Sequence, residues 1–262
     1  MNHDNDLGTN HANDPGARRV VVVTGAGTGI GRAAARAFAR QGATVLAVGR
    51  RPGPLDETAA GLPSVLPLVA DVTDPDAPAA IVRAALDTYG RLDVLVNNAG
   101  IATGGPLGSL DRAVLGPLVE TNLLAPVLLT QAALDALAAS GGGVVVNVTT
   151  TIGQRGWPNN SFYPATKSAL ETLTRCWALE LAPRGIRVVA VAPGAIETPI
   201  GEHAGLTPER RRAVRAWQAA HTPLGRIGRP EEVAWAITSL ASPDASYLTG
   251  TVLPVDGGAL VT

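Results

Sequence analysis

The sequence is poor in cysteine, in aromatic residues and in charge. It has one cysteine, Cys176, among 262 residues, and a single cysteine cannot form a disulfide within its own chain. Because Cys176 lies in an apolar helical pattern, we expect a core-filling side chain, with a free reactive thiol as the alternative. Charged residues are 16% of the chain and the formal net charge is −1. The chain lacks the broad basic field that attracts nucleic acid or an anionic membrane, so we expect neither as a partner.

The first 19 residues lack the apolar stretch of a secretory signal. Their asparagine, aspartate and glycine content is typical of a disordered tail. We therefore expect a tail over residues 1–18, one domain over residues 19–262 and a cytoplasmic location. The most apolar long stretch, residues 123–139, contains Pro126, Gln131 and Asp135 and falls short of the roughly 20 apolar residues of a membrane span. It predicts a buried or interfacial helix.

Short β-branched runs alternate along the chain with longer segments of helical period. The runs predict strands over residues 19–24, 44–49, 65–70, 94–97, 144–149, 187–192 and 251–255. The longer segments predict helices over residues 30–41, 75–89, 111–139, 163–181, 208–220 and 231–240. Parallel strands joined by helices form a doubly wound α/β sheet, here a single domain of about seven strands with helices on both faces. Ligands of such a sheet gather beyond the carboxyl ends of its strands.

A glycine-rich turn stands between the first predicted strand and the first predicted helix. Residues 24–31 read Thr-Gly-Ala-Gly-Thr-Gly-Ile-Gly. Glycines permit close backbone approach to a pyrophosphate, and the N-terminus of the following helix attracts its negative charge. A tight turn without a ligand is the alternative. The position of the pattern favours dinucleotide binding, with contacts from Gly25, Gly27, Thr28, Gly29, Ile30 and Gly31.

The second predicted strand ends at Arg50 and Arg51, at the place where an acid would bind the ribose hydroxyls of NAD. Since a guanidinium pairs well with a 2′-phosphate, we favour NADP(H) over NAD(H), with Arg50 as a cofactor contact. Both arginines could instead be solvated loop charges. Asp71 and Val72 follow the third strand and are further cofactor candidates. Asp71 would either accept a bond from the adenine amino group or cap the next helix.

The motifs together identify a family. The glycine turn, Asn-Asn-Ala-Gly at residues 97–100 and Tyr-Pro-Ala-Thr-Lys at residues 163–167 resemble the short-chain dehydrogenase/reductase family. The resemblance runs from about Val20 to the end of the chain. It implies a one-domain, Rossmann-type enzyme that moves a hydride between a nicotinamide and a small-molecule ketone or secondary alcohol. Family members are usually dimers or tetramers, so we expect a homotetramer, or else a homodimer.

The resemblance also implies an active site, in which Asn122, Tyr163 and Lys167 match the family and Thr150 stands in place of its serine. Carbonyl reduction needs a proton donor, and Tyr163 is the candidate. Because an isolated phenol has a pKa of about 10, we expect the ammonium of Lys167, one helical turn away, to stabilise the phenolate. A surface pair of tyrosine and lysine at helical spacing is the alternative.

We predict that four residues contact the substrate: Thr150, Thr151, Trp157 and Tyr163. The Thr150 hydroxyl follows the fifth strand and could hydrogen-bond the substrate oxygen, although Thr149 or Thr151 could supply that group instead. Trp157 is either an aromatic wall against a hydrophobic substrate or plain packing.

The family resemblance implies that Asn122 binds a water molecule that links Lys167 to solvent. Pro126 removes the backbone bond to the Asn122 carbonyl, which would free that carbonyl for the water, and a bent helix is the structural alternative. The resemblance also implies that Tyr163 and Lys167 contact the cofactor, together with Asn98, Ala99, Gly100, Pro193, Gly194, Ile196 and Thr198.

Residues 195–222 occupy the place of the family's variable substrate segment, and we expect them to fold over the ligand. The segment carries His203, Trp217 and His221, but no histidine pair has the spacing of a metal site, so no metal is predicted. A non-redox enzyme of dehydration or cyclisation and a cofactor-sensing binding protein remain the alternatives to an oxidoreductase.

Overall fold

Seven strands form the centre of the domain in the computed structural model, which describes residues 18–154 and 159–261. They are β1 Val20–Thr24, β2 Thr44–Gly49, β3 Val65–Val69, β4 Val94–Asn97, β5 Val144–Val148, β6 Arg187–Pro193 and β7 Val252–Val255. All pair in parallel, in the order β3-β2-β1-β4-β5-β6-β7. The predicted doubly wound sheet is confirmed. Its strand order reverses between β1 and β4, and such a switch point is where open α/β sheets bind ligands.

Helices cover both faces of this sheet. They are α1 Gly29–Arg40, α2 Pro52–Ala59, α3 Ala77–Tyr89, α4 Arg112–Val119, α5 Ala125–Ala139, α6 Phe162–Leu181, α7 Ile200–His203, α8 Pro208–Ala220 and α9 Pro230–Ala241. In β1, Val21 and Val23 pack in the core under α1 and α9, whereas Val20 and Val22 pack in the core under α3, α5 and α6. Because successive side chains of a strand point to opposite faces, an unbroken valine run fills both cores.

The helices differ from the sequence prediction at α2, at α7 and within residues 111–139. The four residues of α7 are too few to show a helical period. Helix α2 is not predicted because its eight residues include two prolines and a glycine, yet Pro52 at its first turn is well placed to start a helix. The predicted helix over residues 111–139 contains a π-helical turn, Glu120–Leu124, between α4 and α5. The amide of Ala125 bonds the Glu120 carbonyl five residues back, since Pro126 has no amide hydrogen to continue the regular ladder.

The continuous helical run over residues 112–139 is long and apolar enough, by length and composition, to cross a membrane. The prediction from residues 123–139 alone missed this because the run begins earlier, at α4. Its inward side, including Leu118, Leu129 and Leu137, is buried. The core helix of a soluble protein passes the same test, so this one run is weak evidence for a span.

The predicted core position of Cys176 is wrong, because the residue is exposed. On α6 the buried stripe includes Thr174 and Ala178, and a helix turns by about 200° over two residues. Cys176 therefore points away from the sheet, in keeping with the alternative of a free thiol.

Candidate active site

The carboxyl ends of the strands border an open cavity of about 2380 Å³. The predicted cofactor residues all line it: Gly25, Gly27, Thr28, Gly29, Ile30, Gly31, Arg50, Asp71, Val72, Asn98, Ala99, Gly100, Tyr163, Lys167, Pro193, Gly194, Ile196 and Thr198. Thr150 lines the same cavity. Asn122 and Thr151 are buried and lie outside its lining. Trp157 lies outside the residues that the structure describes, so its predicted role stays a prediction.

Hydrogen bonds join the start of the glycine turn to the residues that follow β4. The Asn98 side-chain amide donates to the Thr24 carbonyl at 2.7 Å, and the Thr24 hydroxyl accepts from the amides of Asn98 and Ala99, both at 3.0 Å. Gly31 must lack a side chain, since a Cβ there would overlap the Gly25 carbonyl oxygen and the Asn98 amide nitrogen. The turn therefore depends on both strands at the switch point.

The N-terminus of α1 fits a pyrophosphate. Thr28 makes no side-chain capping bond, and no acidic residue stands in the first turn, so the unpaired amides there are open to an anion. Gly25 and Gly29 have φ angles of +64° and +52°, a region that strains any residue with a Cβ. These features let a dinucleotide approach the backbone closely.

At the far end of the cavity, Arg50 extends into solvent with its side chain 68% exposed, and its Nη1 lies 3.7 Å from Asp71 Oδ2. Asp71 Oδ1 accepts from the Thr73 amide and hydroxyl at 3.1 and 2.8 Å. Since the residue preceding α3 is Asp76, Asp71 closes its own turn and the helix-capping alternative is wrong. Its contact with adenine stays a prediction.

Tyr163 and Lys167 are both buried and face the cavity from the first turns of α6. Lys167 Nζ donates to the Val148 carbonyl at the end of β5, at 2.9 Å. The alternative of a surface pair is therefore wrong.

Stabilisation of the Tyr163 phenolate by Lys167 stays a prediction. Burial raises the pKa of Tyr163 to about 12, against a smaller lowering by a hydrogen bond with the Thr150 side chain. Burial also lowers the pKa of Lys167 to about 8. Desolvation penalises the charged form of each group. The phenol is consequently protonated at neutral pH.

The three threonines after β5 have different surroundings. The Thr150 hydroxyl donates to the Pro193 carbonyl at 3.3 Å, and the Thr150 side chain also lowers the pKa of Tyr163. The Thr149 hydroxyl instead donates to the carboxylate of Glu171 at 3.1 Å, and the Thr151 hydroxyl lies 3.4 Å from the Pro193 carbonyl. Of the three, Thr150 is the one whose side chain affects the pKa of the Tyr163 phenol.

Asn122 sits in the π-helical turn and is fully buried. Its Oδ1 accepts from the Ile101 amide and its Nδ2 donates to the Ile101 carbonyl, both at 2.9 Å. The same Nδ2 lies 3.2 Å from the Thr166 hydroxyl. A Cβ on Gly100 would lie 3.2 Å from Lys167 Nζ and 3.3 Å from Asn122 Oδ1. The bare glycine therefore leaves a small space between the two groups, and the relay water stays a prediction for it.

Sequence reasoning missed several functional-site residues. Buried Glu171 accepts bonds from Thr149 and from the Gln154 side chain, and so joins α6 to the loop after β5. Within residues 18–154 and 159–261, Asn160 Oδ1 is the buried side-chain polar atom without a hydrogen-bond partner. A lone polar residue in a sequence gives no sign of either arrangement. The predicted substrate segment, by contrast, does border the cavity through the inner face of α8 and the residue after it, with Arg210, Ala213, Val214, Trp217, Gln218 and His221.

The described part of the chain contains no group of three or more histidine, cysteine, aspartate or glutamate residues that could hold a metal ion.

Comparison with known proteins gives concordant matches. The family model described as enoyl-(acyl carrier protein) reductase matches residues 25–259. The chain is 45% identical over 247 residues to cis-4-hydroxycyclohexanecarboxylate dehydrogenase of Sinomonas cyclohexanicum, which covers 92% of this chain and 96% of that protein.

Two crystal structures are similar to the chain throughout. One is a short-chain dehydrogenase/reductase of unknown function from Caenorhabditis elegans with cofactor, at a TM-score of 0.88 and 33% identity, covering 93% of this chain and 96% of the other. The second is 3-ketoacyl-(acyl-carrier-protein) reductase from Brucella melitensis complexed with NADH. Its TM-score is 0.86 and its sequence identity 34%, and the match covers 92% of this chain and 98% of the other. With the glycine turn and the buried tyrosine and lysine at one cavity, these matches lead to one conclusion. The chain belongs to the short-chain dehydrogenase/reductase family and is an NAD(P)-dependent oxidoreductase that acts on an alcohol or carbonyl group.

Proposed function

We propose that the protein transfers a hydride between NADP(H) and a small ketone or secondary alcohol, with Tyr163 as general acid and base. The observation that carries this proposal is that the buried side chains of Tyr163, Thr150 and Lys167 line one cavity together with the glycine turn. Two hydroxyls that converge there can bind one carbonyl oxygen. The bound nicotinamide supplies or accepts the hydride.

In the reducing direction, the protonated phenol of Tyr163 donates its hydrogen to the substrate oxygen as negative charge develops there. The Thr150 hydroxyl binds the same oxygen and steadies that charge. The resulting phenolate lies in the site that also holds Lys167, and an ammonium there offsets its charge. In the oxidising direction the same groups act in reverse, with the phenolate as base.

The relatives suggest the class of substrate. By their names, one oxidises a hydroxyl on a cyclohexane ring that bears a carboxylate, and another reduces a 3-ketoacyl group. In this chain the inner face of α8 offers Val214 and Trp217 beside the cavity, which suits an apolar ring or short chain around the reacting carbon. We therefore propose a substrate whose alcohol or carbonyl is secondary and flanked by apolar carbons.

The preference for NADP(H) is supported by Arg50 and Arg51 at the end of β2. Replacing Arg50 by alanine should weaken NADPH binding about tenfold and change NADH binding less than about twofold, because only NADPH carries the 2′-phosphate. The dissociation constants of both cofactors can be measured by quenching of intrinsic fluorescence.

Arg40→Ala is the matched control, since Arg40 is an exposed arginine at the end of α1 that does not line the cavity. This control should leave both dissociation constants unchanged. An equal loss of NADPH and NADH affinity in Arg50→Ala would refute the 2′-phosphate assignment.

We also propose a homo-oligomer, with a tetramer first and a dimer second. The outward sides of α5 and α6 leave large apolar side chains in solvent, among them Leu128 at 47% and Leu179 at 80% exposure. Burying such faces between subunits is favourable. Light scattering at micromolar concentration should give a mass of four chains, and a monomer would overturn the proposal. The cytoplasmic location stays a prediction.

A further inference from the structure

The segment after β6 returns to the nucleotide end of the cavity. A Cβ on Gly29, in the glycine turn, would lie 3.0 Å from the Thr198 side chain, so Thr198 covers that turn. The short helix α7 follows, and Glu202 on it forms an ion pair with Arg211 of α8. The segment therefore connects the cofactor's binding loop to the helix that lines the rest of the cavity.

Helix α7 brings His203 to Arg51, although the two are 152 residues apart in sequence. Arg51 Nη2 lies 3.4 Å from His203 Nε2, and both side chains line the cavity beside Arg50. A guanidinium can only donate hydrogen bonds, so this contact needs the imidazole nitrogen as acceptor. Such a contact is long and weak, and both groups are able to donate to an anion instead.

The charged groups around His203 leave a net positive site. Glu202, its neighbour on α7, is already paired with Arg211. Asp71 lies 3.7 Å from Arg50, at the outer limit of an ion pair. The guanidinium groups of Arg50 and Arg51 and the imidazole of His203 thus line one cavity, and the nearby carboxylate of Asp71 engages Arg50 only loosely. A phosphate monoester, with its charge of almost two, is the ligand that such a set suits.

We infer that His203 is a specificity-determining residue, which together with Arg50 and Arg51 binds the 2′-phosphate of NADP(H). The inference rests on the proposed cofactor preference and adds to it a group from the substrate segment. Because α7 is tied to α8 by the pair of Glu202 and Arg211, binding of the phosphate by His203 also holds α8 over the cavity. The substrate segment thereby responds to which cofactor is present.

The test is calorimetric binding of adenosine 2′,5′-bisphosphate and of ADP to the full chain, without turnover. His203→Ala should raise the dissociation constant of the bisphosphate about fivefold and change that of ADP less than about twofold, as expected for the loss of one exposed charge-assisted bond. His203→Gln, which keeps a hydrogen-bond donor, should recover part of this loss. Arg212→Ala is the control, since Arg212 is an exposed arginine of α8 paired with Glu209 and does not line the cavity.

The coupling to α8 has its own readout. With NADPH as cofactor, His203→Ala should raise the substrate KM severalfold, whereas with NADH the KM should equal that of the unaltered protein. A merely structural role for His203 would raise KM with both cofactors.

The outcomes separate this inference from the proposed cofactor preference. If Arg50→Ala loses affinity for the bisphosphate alone while His203→Ala binds both nucleotides normally, the inference about His203 is wrong and the preference stands. If Arg50→Ala weakens the binding of both nucleotides equally, the proposed preference for NADP(H) is refuted. Equal weakening of both nucleotides by His203→Ala, with Arg50→Ala still selective, would also overturn the role of His203.

Discussion

Replacing Tyr163 by phenylalanine should lower kcat about a thousandfold and leave the dissociation constant of NADPH within about twofold. The substitution removes the hydroxyl of Tyr163, which lines the cavity, and keeps the ring in its buried place on α6. The substrate oxygen then has no proton donor. Oxidation of NADPH, followed by its absorbance with a panel of ketones, measures the loss.

Tyr89→Phe is the matched control, since Tyr89 ends α3 and does not line the cavity. It removes a hydroxyl of the same kind and should leave kcat unchanged. Turnover in Tyr163→Phe at the level of this control would remove Tyr163 from its catalytic role.

The second large effect is expected at the glycine turn. In Gly31→Ala the added methyl would overlap the Gly25 carbonyl oxygen and the Asn98 side-chain amide. Relieving that overlap shifts the turn and the bond between Asn98 and Thr24, at a cost of about 1–3 kcal/mol. We therefore expect a lower midpoint of thermal unfolding and a tenfold to hundredfold weaker binding of NADPH, roughly the same free energy.

Gly142→Ala provides the comparison, because an added Cβ there meets nothing within 4 Å and the residue precedes β5, away from the cavity. Its cofactor affinity should match that of the unaltered chain. If Gly31→Ala bound NADPH as tightly as Gly142→Ala does, the turn would not be the cofactor's backbone cradle.

The parts of the site that could be predicted from the sequence are those set by short spacing. The glycines after β1 and the four-residue interval between Tyr163 and Lys167 fix their own geometry, because one turn of backbone places them. Thr150 was predicted from the place of the family's serine, with Thr149 and Thr151 left open as alternatives. The glycines, Thr150, Tyr163 and Lys167 all line the cavity in the structure.

Contacts across long sequence separations could not be predicted. The bond from Thr149 to Glu171 and the approach of His203 to Arg51 depend on how the helices pack, which no local pattern encodes. The direction of the Tyr163 pKa shift was missed for the same reason. It is set by burial, and the sequence gives the charge at Lys167 but not the loss of solvent around the phenol.

The most direct test of the account is the fate of a labelled hydride. NADPH carrying deuterium at the transferable position of the nicotinamide is mixed with the protein and a secondary ketone, and the product is analysed by mass spectrometry. We expect one deuterium on the carbinol carbon for each NADPH consumed, with production lost in Tyr163→Phe. Product formed without deuterium, or tight NADPH binding with no ketone reduced across the panel, would contradict hydride transfer at this site.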